Sequence, residues 1–281
     1  MMNSRVWERV DRVITHFLLI LLLGILLFPA LIMISTALKT FDGVFTWPPT
    51  LFPRIIQWSN FSRVLFGKYQ FYQYFINSFI VAGVTSLVCI LLGLPASYAF
   101  SRFRFYGKKL FLFAILATQM FSPVILIIPL YKVMKSAGLM DTYFALIIAN
   151  TAFALPMSIW LLTGYLQSIP VSLEEAAMID GTSRIGALFK IILPLAAPGI
   201  ITSGIYAFIL AWNDLIFALT FITKQGMRPI TLALTDFAGK NVIYWNDMMA
   251  AAVLSVLPVA FLFSLVQKYL VQGLTAGSVK G

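Results

Sequence analysis

Residues 14–35 read ITHFLLILLLGILLFPALIMIS, 22 residues without a single Asp, Glu, Lys or Arg. As a helix rising about 1.5 Å per residue, such a run crosses the roughly 30 Å hydrocarbon core of a bilayer. Arg5, Arg9 and Arg12 precede it, a basic start like that of a signal peptide. The run is too long for a typical h-region and no A-x-A pattern follows, so it reads as a retained first span. Five more apolar runs follow, at residues 74–100, 110–134, 143–166, 191–222 with a lead-in, and 248–269. Helices satisfy their own backbone hydrogen bonds in lipid, whereas a barrel would show alternating segments of about ten residues, and none occur. The expected fold class is therefore an all-α membrane protein with six transmembrane helices.

Composition agrees. Of 281 residues, 60% are hydrophobic and 11% charged, with a mean hydropathy of +0.93. A soluble domain carries roughly 25% charge, so most of this surface faces something other than water. The excess of 20 Lys and Arg over 10 Asp and Glu does not indicate nucleic acid, because no aromatic-interleaved basic face accompanies it. Cytoplasmic loops of membrane proteins collect such charge. Eleven of the 20 lie in the N-terminal stretch, around Arg102, Arg104, Lys108 and Lys109, at Arg184 and Lys190, and in the tail. The opposite loops are longer, so basic density near span ends puts both termini in the cytoplasm. Cys89 is alone in an apolar run and His16 has no ligand cluster beside it, so neither a disulfide nor a metal site is expected.

The most unusual segment lies between the fourth and fifth runs: Ile169-Pro170-Val171-Ser172-Leu173-Glu174-Glu175-Ala176-Ala177-Met178-Ile179-Asp180-Gly181. Ser172 with Glu175 has capping-box spacing, and acids occupy a first turn where the helix dipole favours them. Asp180-Gly181 is a stop signal, after which residues 182–190 resume a helix into the fifth span. The residue chemistry leaves two readings open: a connector, or a small rigid knob that seats in a cleft on a partner.

The spacing of this segment resembles the permeases of ABC importers, whose pattern is E-A-A, three residues, Gly, nine residues and I-x-L-P. Glu175-Ala176-Ala177, Gly181 and Ile191-Ile192-Leu193-Pro194 fit it throughout, with Asp180 before the glycine. Ala211-Trp212-Asn213-Asp214, Asn77-Ser78, Tyr98-Ala99-Phe100-Ser101-Arg102 and the tail from Gly273 to Gly281 are similar to the carbohydrate class. That class contains the tail-bearing permease of the maltose transporter. The resemblance implies a type I ABC importer permease fold, with residues 172–186 as a cytoplasmic coupling helix inside a core of residues 73–270. Residues 1–72 would precede that core, and a tail of residues 271–281 would follow it. It implies a second permease, two ATPase subunits that bind ATP and Mg, and an extracytoplasmic sugar-binding protein. Residues 223–247 match a loop that reaches toward the binding protein. Glu175, Ala176, Ala177, Asp180, Gly181, Leu193 and Pro194 are the expected ATPase-coupling residues.

The chain carries no G-x-x-x-x-G-K-[ST] string and no nucleophile–base pair, so it is not expected to be an enzyme or to hold a cofactor. Polar residues inside spans either bond neighbouring helices or line a pathway. Gln119, Asn150, Asn213 and Asp214 are the pathway candidates, with Tyr206 or Trp212 as aromatic platforms for a sugar. A secondary transporter or channel would instead need mid-span ionisable groups, and only Asp214 approaches that.

Overall fold

In the computed structural model, the first apolar run forms one continuous helix, α1 (Ser4–Ala37), with Pro29 inside it. The structure describes residues 4–67, 69–237 and 243–276. No residue of the apolar window of α1 is buried in this chain, so lipid or another subunit must cover its leucines and phenylalanines. Two compact units emerge, Met1–Gln70 with Asp236–Leu254, and Phe71–Thr235 with Ser255–Gly281.

In the first unit, α1 is followed by α2 (Phe41–Val44) and α3 (Ser59–Phe66). Buried Asn60 donates to the carbonyls of Ala37 and Lys39, both at 2.8 Å, satisfying acceptors that the end of α1 leaves open. The unit also contains the start of α13 (Trp245–Ala276), the sixth span.

The second unit is built on three mutually packed helices: α4 (Phe71–Arg102), α7 (Tyr143–Ser168) and α10 (Leu193–Trp212). Central α7 has half of its apolar window buried. Small residues set the close approaches, as is usual where lipid removes the hydrophobic drive for helix association. A Cβ on Gly199 would fall 2.5 Å from the Tyr165 ring, and one on Gly204 would fall 2.8 Å from Ile90.

Two expected spans are not single helices. Residues 110–134 divide into α5 (Lys108–Ala117), a 3-10 turn, and α6 (Pro123–Ser136), bent by 93°. Pro123 is the cause: it disfavours helical backbone at Ser122, whose ψ is 134°, and offers no N–H to continue the ladder. The fifth run likewise stops at Trp212, and α11 (Ile216–Phe221) follows a break. There Asp214 Oδ1 accepts the Phe217 N–H at 3.0 Å, a local bond that competes with helix continuation. The remaining elements, α8 (Ser172–Ile179), α9 (Arg184–Ala187) and α12 (Ile230–Ala233), lie in the connections around α10 and α11. Of the tail, residues 271–276 continue α13 and residues 277–281 lie outside the described ones.

Candidate coupling site: a short helix held by a buried glutamate

The start of α8 differs from the capping-box expectation. Ser172 is already helical, the cap position falls on Val171 in αR geometry, and no side chain caps it. Pro170 opens the turn instead, its carbonyl accepting Leu173 N–H and that of Val171 accepting Glu174 and Glu175. The stop signal holds. Gly181 takes φ +85°, Thr182 donates to Ala177 O at 3.0 Å and Gly181 to Met178 O at 3.1 Å, a complete Schellman closure. The helix resumes when Ser183 caps α9 through Gly186 N–H at 3.1 Å. It then passes through a π turn, Leu188–Ile192, in which Leu193 donates five residues back to Leu188 O. Pro194, with no N–H of its own, sits where that irregularity ends and α10 begins.

Glu174 fastens α8 to the bundle. It is 1% exposed and accepts from the Tyr98 hydroxyl on α4. Arg102, at the end of α4, donates Nε to Glu174 Oε2 at 3.0 Å and Nη1 to Leu166 O of α7 at 3.1 Å. Arg184 of α9 adds a second cation, 3.5 Å from Oε1, its guanidinium over the Phe103 ring at 5.1 Å. One carboxylate thus joins α8 to α4 and α9, and through Arg102 to α7. Displacing α8 must move those helices or break a buried ion pair. None of Tyr98, Arg102, Glu174 and Arg184 stood out as a site residue in the sequence. Part of their signal was there: Tyr98 and Arg102 are four apart and so share one helix face.

The sequence-expected coupling residues divide by burial. Ala177 is buried under α8, while Glu175, Ala176, Asp180 and Gly181 are exposed. Leu193 is partly buried at the root of α10 and Pro194 is exposed. Around the acids lie apolar side chains that no described residue covers: Ile179 is 86% exposed, with Leu173 and Val171 also open. The turn thus presents an acidic surface with apolar side chains at its tip.

The pathway candidates also divide. Asn150 and Asp214 come together: Asn150 Nδ2 donates to Asp214 Oδ2 at 3.3 Å and to Leu146 O at 3.0 Å. Gln119, exposed at the α5–α6 bend, donates to Phe153 O at 2.7 Å. Asn213 is exposed and its side chain bonds no described residue. Trp212 is not an open platform: it is buried against Phe75, Phe79 and Phe208, with Nε1 donating to Ser255 O at 3.2 Å. Tyr206 is partly buried beside Ala207 and Cys89. Asn77-Ser78 has a visible task. Asn77 Nδ2 donates to the carbonyls of Gly226 and Arg228, both at 2.9 Å, and Ser78 Oγ accepts Ile230 N–H at 2.7 Å. Tyr143 donates to Asn77 Oδ1 at 2.7 Å, so the loop after α11 is tied to α4 and α7.

Known proteins are similar to this chain in sequence and fold. Residues 89–276, which include α8 and its anchors, match the family described as "Binding-protein-dependent transport system inner membrane component". The sulfoquinovosyl glycerol transport system permease protein SmoH of Agrobacterium fabrum is 37% identical, over 91% of this chain and 89% of its own. The trehalose/maltose transport system permease protein MalG of Thermococcus litoralis is 40% identical, over 79% and 81%. A crystal structure of a bacterial ABC transporter involved in the import of the acidic polysaccharide alginate superposes with a TM-score of 0.81 at 26% identity. That match covers 96% of this chain and 99% of the other. With α7, α8, α10 and the break after Trp212 all inside the matched span, the chain belongs to the binding-protein-dependent transport inner membrane components and is a permease subunit of an ABC importer.

Proposed function

We propose that this permease carries a sugar or related polyhydroxylated solute inward, and that α8 is the coupling helix that separate ATPase subunits move. The observation that carries the coupling reading is the division at α8. Glu174 is locked inward while Glu175, Ala176, Ile179 and Asp180 are presented outward on a rigid turn. ATP and Mg belong to the ATPase partners. A second permease completes the pathway, and a soluble binding protein delivers solute on the far side. Both termini and α8 then face the cytoplasm of a cell with an inner membrane, in keeping with the basic density around Arg102 and Arg184. The solute class rests on relatives named for trehalose/maltose and sulfoquinovosyl glycerol, both rich in hydroxyl groups. Asn213 and Gln119, exposed at helix breaks, are the better pathway candidates; irregular backbone at membrane depth belongs where protein or a cavity covers it. Asn150 and Asp214 brace the break after α10.

Reconstituted vesicles test this. Glu175→Ala removes an outward acid, and Gly181→Pro imposes φ near −65° where the turn needs +85°. Each variant is expected to insert and to leave ATP hydrolysis running while sugar uptake falls. Normal uptake with the ATPase still bound refutes the coupling role. Uptake that persists without ATP favours a secondary transporter instead.

A further inference from the structure

The loop between α2 and α3, within the first unit, is apolar and uncovered. Trp47 is 91% and Phe52 82% exposed, and Leu51, Ile55, Ile56 and Trp58 are exposed with them. A contiguous patch of this kind marks a surface that something other than water covers. The loop is nevertheless held at a definite height on α1. The Ser35 hydroxyl donates to Leu51 O, the Lys39 ammonium donates to Thr50 O, and Gln57 N–H donates to Leu38 O at 2.9 Å. Residues 50–57 are therefore tied back to the last turn of α1 and the residues just after it.

That height is the bilayer surface. The apolar run 14–35 gives about 33 Å of helix against a hydrocarbon core of roughly 30 Å, so Ser35 lies at the far edge of the core. The polar headgroup layer beyond it is roughly 5–7 Å deep. Leu38, three residues on, is about 4.5 Å higher, so both ends of the tied stretch fall inside that layer. A soluble partner meets surfaces above the headgroups, not within them. Composition agrees. Tryptophan rings favour this boundary, and Trp47 and Trp58 flank the tied stretch. Arg54 is the only charged residue from 43 to 62, a cation for lipid phosphate with no carboxylate nearby in sequence to repel it. The same bilayer meets α1, none of whose apolar window is buried in this chain. We propose that residues 47–58 are an interfacial anchor, seated among the phospholipid headgroups of the leaflet opposite the N-terminus. Trp47, Phe52 and Trp58 reach the acyl boundary there, and the anchor fixes the height and tilt of α1.

The test uses the assembled importer, with its ATPases and second permease, in phosphatidylcholine vesicles whose acyl chains carry bromine near the headgroup. Vesicles without bromine are the reference. Subtracting the emission of Trp47→Phe from that of wild type isolates Trp47 from the other tryptophans of the chain and of its partners. Trp58→Phe isolates Trp58 in the same way. Both components are expected to be quenched several-fold more by the shallow bromine than by aqueous iodide, with or without the soluble binding protein. Phe52→Asp puts a carboxylate into the headgroup layer and should reverse that order for Trp47 while the thermal midpoint holds. Stronger quenching by iodide shows a loop in water, and iodide quenching that the binding protein relieves shows a docking surface for that protein. Insensitivity to both quenchers shows cover by the second permease. Each of these results overturns the anchor, as does a Phe52→Asp variant that keeps the wild-type pattern.

Discussion

Glu174→Gln is the most informative substitution. The side chains of Glu174 and Arg102 are 2% and 3% exposed, so the charges compensate each other away from water. Glutamine keeps the shape and an acceptor for the Tyr98 hydroxyl but leaves Arg102 buried without a counter-charge. Arg184 cannot replace the lost term: its side chain is 50% exposed, and such a pair is worth at most about 1 kcal/mol. Removing one partner of a buried pair costs about 3–5 kcal/mol. Arg102 retains its bond to Leu166 O while its Nη2 already lacks a partner, which places the expected cost near the lower figure. About 3 kcal/mol is roughly two decades in an opening equilibrium. Hydrogen exchange through residues 172–190 should therefore speed up about a hundredfold, with α4 and α7 unaffected, and uptake per ATP should fall. Adding Arg102→Met should restore much of the protection, because an apolar replacement of the whole pair removes the stranded charge. Wild-type exchange in Glu174→Gln, or simple additivity in the double variant, would refute the clamp.

Asn77→Leu loses two donors to the loop after α11, worth about 1–3 kcal/mol together; protease should cut residues 223–230 several-fold faster, and unchanged cleavage tells against the tie. Gly199→Ala forces a Cβ into Tyr165 and should cost about 1–3 kcal/mol, lowering the thermal midpoint in detergent, with relief when Tyr165→Ala is added. The Asp141 carboxyl is held below the usual range by the Lys224 N–H, then by the Thr223 hydroxyl and N–H. A depressed carboxylate stabilises above its unfolded pKa, and that contribution is lost as pH falls through the folded value. Thr223 and Lys224 amide protection should hold at neutral pH and fade only in acid below the ordinary carboxylate range, whereas Asp141→Asn should remove the pH dependence. Asp214→Ala should destabilise by about 0.5–2 kcal/mol through the lost cap with little change in the KM for sugar, whereas Asn213→Ala should raise KM without destabilising; the reverse pattern would exchange their roles.

The amino-acid sequence by itself determined the membrane class, the number and rough position of the apolar runs, and the stop at Gly181. Each depends on local properties: run length against bilayer thickness, and a φ that only glycine adopts cheaply. It also supplied the spacing from Glu175 to Pro194 that carries the resemblance to ABC importer permeases. What it left open depended on contacts between distant residues. Ser172 had cap spacing, but Pro170 two residues earlier started the turn first. Pro123 had the look of an ordinary span proline until the flanking segments turned by 93°. Arg102 and Arg184 counted as topology charges because their carboxylate partner lies 72 residues from one and 10 from the other. Glu174 and Glu175 are adjacent and chemically identical. Only the placement of α8 beside the end of α4 decided that one is a buried anchor and the other is exposed, because about 100° of helical rotation separates neighbouring side chains.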